Sequence, residues 1–274
     1  MNTFWKRTIS ATVYALLFLG SIYSGRFVGE QWGTIILTAF ALFVALGCTF
    51  EYFRIAEKQG AHPIKPLGYV WAALMVIAGA APAGLAWVIS VMVLVLVSMV
   101  VTLCVQLWRN TEQPFADVLH TLLPMYYAAL PLSLMAILHN GLNVLVMCII
   151  MVWVNDSFAY MGGSLIGRHK MWPRHSPGKT WEGTAVGVAA AVATGLLVGP
   201  LFQTSLQWYD WLVLSLVCSI VGTLGDLTES MLKRSVGLKD SGNIMPGHGG
   251  FLDRFDSLLF ILPVVYVYCF IAIF

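Results

Sequence analysis

Three aspartates near the end of the chain, Asp226, Asp253 and Asp256, sit at the edges of apolar runs and in company with cations. The intervening segment supplies Ser230, Lys233, Arg234, Lys239 and Asp240, then the glycine-rich turn Pro246-Gly247-His248-Gly249-Gly250 and Arg254. If a helix continues past Gly225, then Asp226, Ser230 and Lys233 or Arg234 share one face at i, i+4 and i+7 or i+8. Asp253 and Asp256, at i and i+3, share a face at the start of the final apolar run. Carboxylates converging beside cations suit a divalent metal such as magnesium together with phosphate. The competing reading is a structural salt-bridge set with Lys233, Arg234 or Arg254. A charged carboxylate at the bilayer centre costs roughly 2.5–3.5 kcal/mol on insertion scales, so such groups usually face protein or water and have a partner.

A second polar stretch lies upstream. It opens with Asn155-Asp156 at the end of an apolar run and passes Gly162-Gly163, Gly167 and Arg168-His169-Lys170. It closes with Ser176-Pro177-Gly178-Lys179-Thr180-Trp181-Glu182-Gly183. The last eight residues resemble a phosphate cradle, with Ser176 and Lys179 as candidate contacts, but they lack the spacing of a Walker A loop. Arg168, His169, Lys170 and Arg174 are expected to set topology or to meet lipid headgroups. His248 either contacts substrate or simply holds its own turn.

The elements that must position these residues are membrane helices. Of the 274 residues, 59% are hydrophobic and 10% charged, with a mean hydropathy of +0.81. Soluble domains carry about 25% charged residues, so this chain lacks the polar surface to cover a water-exposed globule. A bilayer core takes about 20 apolar residues as helix. Nine spans are expected: 8–24, 33–50, 67–80, 85–107, 119–138, 142–160, 184–204, 208–225 and 257–273. The segment Ala80-Ala81-Pro82-Ala83-Gly84 breaks an apolar stretch too long for one crossing. Lys6 and Arg7 precede the first span as in a signal peptide, but no clean small-x-small cleavage site follows, and that span is expected to be retained.

Lysine and arginine gather in cytoplasmic loops. With nine spans, 14 of the 15 basic residues fall on the side of the N-terminus and only Arg26 on the other. Merging 67–107 into one span changes the split to 5 against 10, so the bias favours nine spans with a cytoplasmic N-terminus. The segments 155–183 and 225–256 then both lie on the cytoplasmic side. Loop 51–66 is expected to be a solvated, amphipathic connector at the headgroups. Cys48, Cys104, Cys148, Cys218 and Cys269 each stand alone in apolar runs and are read as packing residues. The expected architecture is an all-α polytopic membrane protein in a single domain, 1–274. Its N-terminal spans occupy 1–140 and its catalytic part 141–274. No nucleic-acid partner is expected.

The pattern Ser230-x-x-Lys233-Arg234, Lys239-Asp240, His248-Gly249-Gly250-x-x-Asp253-Arg254-x-Asp256 resembles the C-terminal signature of the phosphatidate cytidylyltransferases, or CDP-diacylglycerol synthases. Asn155-Asp156 and Ser176-Pro177-x-Lys179-Thr180-Trp181-Glu182-Gly183 also look like the family pattern, with Gly178 where the family often has a second lysine. The resemblance implies transfer of a cytidylyl group from CTP to phosphatidic acid, releasing pyrophosphate. It also implies a requirement for Mg2+, with room for a second cation such as K+. By match to the motif, Asp226 and Asp253 would be metal ligands and Asp256 a weaker one. A homodimer in the bacterial inner membrane, among membrane lipids, is a family-level expectation. The alternatives are a CTP-dependent membrane lipid kinase, or a transporter whose charges line an ion path. A CDP-alcohol phosphotransferase is disfavoured because its D-G-x-x-A-R opening is absent.

Overall fold

The computed structural model describes residues 3–81, 84–139, 143–203, 205–242, 244 and 249–272. It is helical almost throughout. The elements are α1 (Thr3–Val28), α2 (Glu30–Lys58), α3 (Lys65–Gly79), α4 (Leu85–Leu107), α5 (Pro114–Pro124), α6 (Leu130–His139), α7 (Val144–Ile166), β1 (Lys170–Trp172), β2 (Ser176–Thr180), α8 (Trp181–Phe202), α9 (Trp208–Leu216), α10 (Gly222–Arg234) and α11 (Leu252–Ala272). One π-helical turn, Met125–Ala129, joins α5 to α6, and another, Val217–Val221, joins α9 to α10. Among the described residues seven helices are long and apolar enough to cross a membrane, and two apolar helices, Thr12–Val28 and Lys65–Gly79, are shorter. Each lies where the sequence pattern places a span.

Two compact units are present: Met1–Ile137 with Ser235–Arg254, and Leu138–Arg234 with Phe255–Phe274. In the first, α2 packs against α1, α3 and α5. The expectation of a solvated connector over 51–66 is corrected for its first part, while Glu57, Lys58, Gln59, Gly60 and His62 are exposed as expected. Helix α2 runs on to Lys58, and Glu51, Tyr52, Phe53, Ile55 and Ala56 are buried. The remaining link is tied down by α5, because buried backbone N–H groups require acceptors. The His62 N–H donates to Asp117 Oδ1 (2.6 Å) and the Ile64 N–H to Thr121 Oγ1 (2.7 Å).

The second unit is built on α8, which packs along α7 and α9. Its buried face is Gly183, Gly187, Ala191, Gly195 and Gly199, one small residue per turn. In lipid, helix association rests on close van der Waals packing, which small residues permit. A Cβ at Gly187 would meet the Asn155 backbone oxygen on α7 at 2.7 Å, and one at Gly195 would overlap the Ser215 hydroxyl on α9. Helix α7 continues to Ile166, beyond the expected end of its span at 160, so Asn155 and Asp156 are helical. An antiparallel hairpin, with Lys170 opposite Thr180 and Trp172 opposite Ser176, links α7 to α8. Of the five cysteines, Cys104 is exposed on α4 and the other four are buried.

Candidate active site

Helix α10 carries the first part of the site. The helix does continue past Gly225, so the expected face forms, and the Ser230 hydroxyl donates to Asp226 Oδ1 at 3.3 Å. Gly225 lets α10 approach α11 closely: a Cβ there would stand 2.6 Å from the Asp256 backbone oxygen. Asp226 on α10 and Asp256 on α11 therefore come together with Glu229. One carboxylate oxygen from each of the three lies within 4.8 Å of the others. Asp256 Oδ1 also accepts from the Ser257 N–H (2.6 Å).

Two lysines face these acids. Lys179 Nζ pairs with Asp226 Oδ2 at 2.6 Å, and Lys233 Nζ pairs with Glu229 Oε2 at 2.5 Å. The second pair is nearly dry, with Glu229 fully buried and Lys233 8% exposed. Lys179 enters from the hairpin, three residues after Ser176 on β2, and also donates to the Thr223 carbonyl at 3.5 Å. The neighbouring Thr180 hydroxyl accepts from the Gly183 N–H (3.2 Å) as N-cap of α8, so it fixes the hairpin's exit. At the other end of the hairpin Glu182 accepts from the N–H groups of Arg168 and His169. Arg234 Nε donates to the His175 carbonyl at the hairpin turn (3.5 Å). Asp156 is within electrostatic reach of Lys179 and Asp226, and Asn155 Nδ2 contacts both Asp156 Oδ1 (3.3 Å) and Thr223 Oγ1 (3.4 Å).

Asp226, Asp256, Asp156, Ser230, Lys179, Lys233, Arg234 and Ser176 thus belong to one compact unit. Asp253, Lys239 and Asp240 belong to the other unit. Lys239 and Asp240 are exposed there. Asp253 Oδ2 accepts from the Ser241 N–H (2.9 Å) and the Gly250 N–H (2.7 Å), and the Ser241 hydroxyl lies 2.9 Å away. Gly249 beside it has φ +80°, a left-handed conformation that suits glycine. His248 lies outside the described residues.

Glu229 was not singled out by sequence. Its signal was present: it follows Asp226 by three residues and precedes Lys233 by four, the orientation that favours a helical Glu–Lys pair. Three carboxylate oxygens form a hard donor set that fits a magnesium-type cation, and the two lysines fit phosphate oxygens.

The profile of the cytidylyltransferase family matches residues 5–272. A phosphatidate cytidylyltransferase of Staphylococcus epidermidis (strain RP62A) is 34% identical over 266 residues, covering 94% of this chain and 96% of that relative. A phosphatidate cytidylyltransferase of Bacillus subtilis (strain 168) is 44% identical over 126 residues, 46% of this chain and 47% of its own length. Another, of Staphylococcus aureus (strain COL), is 43% identical over 128 residues, covering 46% of this chain and 48% of the relative. In these last two matches the chain spans about half the length of the relative.

Proposed function

The chain belongs to the cytidylyltransferase family, and within that family we propose that it converts CTP and phosphatidic acid into CDP-diacylglycerol and pyrophosphate. A phosphate oxygen of phosphatidic acid attacks the α-phosphorus of CTP, the bond from that phosphorus to the bridging oxygen breaks, and pyrophosphate leaves with the electron pair. Such in-line displacement needs positioning and charge neutralisation more than a covalent nucleophile. The observation that carries this reading is the group of three carboxylates, Asp226, Glu229 and Asp256, flanked by Lys179 and Lys233.

Asp226, Asp256 and Glu229 are the proposed holders of Mg2+, and Asp253 is proposed as a further ligand on its match to the family motif alone. Bound there, the cation supplies charge neutralisation and orientation to phosphate oxygens. Lys179 and Lys233, which pair with Asp226 and Glu229, would be the nearest cations to offer to phosphate oxygens were a metal ion held by those acids. Arg234 and Lys239 offer further phosphate contacts. Ser230, which holds Asp226, and Ser176, beside Lys179 on the hairpin, can donate to phosphate oxygens. Asp156 counterbalances Lys179. Asp240 and His248 are proposed substrate contacts by motif. A second cation such as K+, a homodimer, and an inner-membrane location with the site on the cytoplasmic side complete the proposal. The strong bias of basic residues toward one side supports that orientation.

The test is purified protein in detergent micelles with labelled CTP and phosphatidic acid, with and without Mg2+. Metal-dependent formation of labelled CDP-lipid and pyrophosphate is expected. Release of CDP with a phosphorylated lipid alcohol would instead identify a kinase, and no turnover of CTP with any lipid would leave the transporter reading. An Asp253→Asn variant that folds and keeps wild-type metal-dependent turnover would remove Asp253 from the site.

A further inference from the structure

Glu51 is a fully buried carboxylate of the first unit that the proposed chemistry leaves unused, and it holds a loop. It sits near the end of α2 with no exposed surface. Its Oε1 accepts from the Phe251 N–H (2.9 Å), and its Oε2 accepts from the Leu252 N–H (2.9 Å) and lies 2.7 Å from the Ser241 hydroxyl. Phe251 and Leu252 form the entry to α11, where backbone N–H groups have no partner within the helix. A side chain on α2 thus caps a helix that begins about two hundred residues later in the chain.

The fit is made from both sides. On α2, Phe43, Gly47 and Glu51 follow at intervals of four and present one face. The Phe43 and Phe251 rings meet edge to face at 5.2 Å, and a Cβ at Gly47 would overlap the Phe251 ring. On the loop, a Cβ at either Gly242 or Gly250 would overlap the Glu51 carboxylate. The Ser241 hydroxyl lies between Glu51 Oε2 and Asp253 Oδ2. It has one proton and donates to one of them at a time. Glu51, Ser241 and Asp253 are therefore one connected set.

We propose that Glu51 is a positioning residue for the reaction: through Ser241 and the entry of α11 it fixes residues 250–252 and the place of Asp253. This rests on the reading that Asp253 and Asp256, one turn apart on α11, serve cytidylyl transfer. The carboxylate form is essential to the geometry. Glutamine keeps the shape but has a single acceptor oxygen, so its amide NH2 would face either the Phe251 or the Leu252 N–H, donor against donor.

The experiment compares wild type, Glu51→Gln, Ser241→Ala and the double variant in detergent micelles. It reads hydrogen exchange across residues 238–256, kcat, the KM for CTP and the Mg2+ concentration for half-maximal rate. Glu51→Gln is expected to speed exchange at Ser241 and in 250–252 while the helices elsewhere keep their protection. Its kcat should fall by about 10–100-fold, the range found when a residue orienting a metal ligand is lost. The KM for CTP should stay close to wild type and the Mg2+ requirement should rise. Ser241→Ala should show the same signature more weakly, and the two losses should be non-additive because both act through one network. Wild-type kcat in folded Glu51→Gln overturns the proposal. So does a uniform loss of protection over all helices with additive effects, which marks a purely structural residue. If Glu51→Gln does not fold, Gly250→Ala, which crowds the intact carboxylate, takes its place. Normal kcat in folded Gly250→Ala and Ser241→Ala would then refute it. Wild-type protein that makes no CDP-lipid overturns the reaction assignment and the catalytic half of this proposal, whereas the clamp itself stands or falls on the exchange data.

Discussion

The two units use carboxylates in opposite ways. In the first, Glu51 and Asp253 accept from backbone N–H groups and from one short hydroxyl, partners that cannot move without moving the chain. In the second, Asp226 and Glu229 face lysine ammonium groups at the ends of long flexible stems. A carboxylate bonded to backbone fixes a loop. One paired with lysine can exchange that partner for another cation, and the lysine can turn to an anion. The first arrangement suits holding a group in place, for Glu51 a loop and for Asp253 its own position for the proposed reaction, and the second suits exchange of partners, although both draw on the same side-chain group.

The contrast can be broken most severely at the dry pair. Removing one partner of a buried ion pair typically costs about 3–5 kcal/mol, because the other charge stays in a poor solvent. Glu229→Gln should therefore lower stability by about that amount in a denaturant or thermal titration of the micellar protein. The double replacement Glu229→Leu with Lys233→Met should recover most of the loss of stability but none of the turnover. An equal loss in both would mean that the pair is not dry.

Asp256→Asn sharpens the chemical side. It should leave the fold intact and reduce Mg2+-dependent CTP turnover by about 10²–10³-fold, the usual penalty for losing a group that stabilises developing charge. Steady-state kinetics over a magnesium series would measure it, and a variant with wild-type rate would place the chemistry elsewhere. The packing that brings these acids together is testable at Gly195, where a side chain would overlap Ser215. Gly195→Val should cost about 1–3 kcal/mol through overpacking, measured as a lower melting temperature. The smallest effect is expected at the hairpin exit. Thr180→Ala removes the cap of α8 and should cost about 1 kcal/mol, with a modest rise in the KM for CTP because Lys179 is adjacent.

Much of this was legible in the sequence, for local reasons. Apolar run length marked the seven helices that are long enough to cross a membrane, because a helix must bury its backbone polar groups in lipid whatever it packs against. The i, i+4 register correctly put Ser230 with Asp226, since both lie on one continuous helix. The reading failed where a helix outlasted its apolar stretch. Residues 51–58 looked like a solvated connector because charged residues gather there, yet the Glu51 oxygens are satisfied by hydrogen-bond donors from a distant part of the chain. Glu229 was passed over because its role depends on Asp256 from another helix.

The sequence by itself determined that the chain is a membrane-embedded helical protein, which helix faces carry acids and cations, and which motif residues to suspect. Those properties follow from composition and from the 3.6-residue repeat, which act within one turn or one span. Only the tertiary structure decided that Lys179 pairs with Asp226, that Glu229 completes the carboxylate group, and that Glu51 caps α11. Such pairings depend on how closely helices approach, through positions such as Gly225 and the glycine face of α8. No local pattern encodes which distant group fills the space a missing side chain leaves.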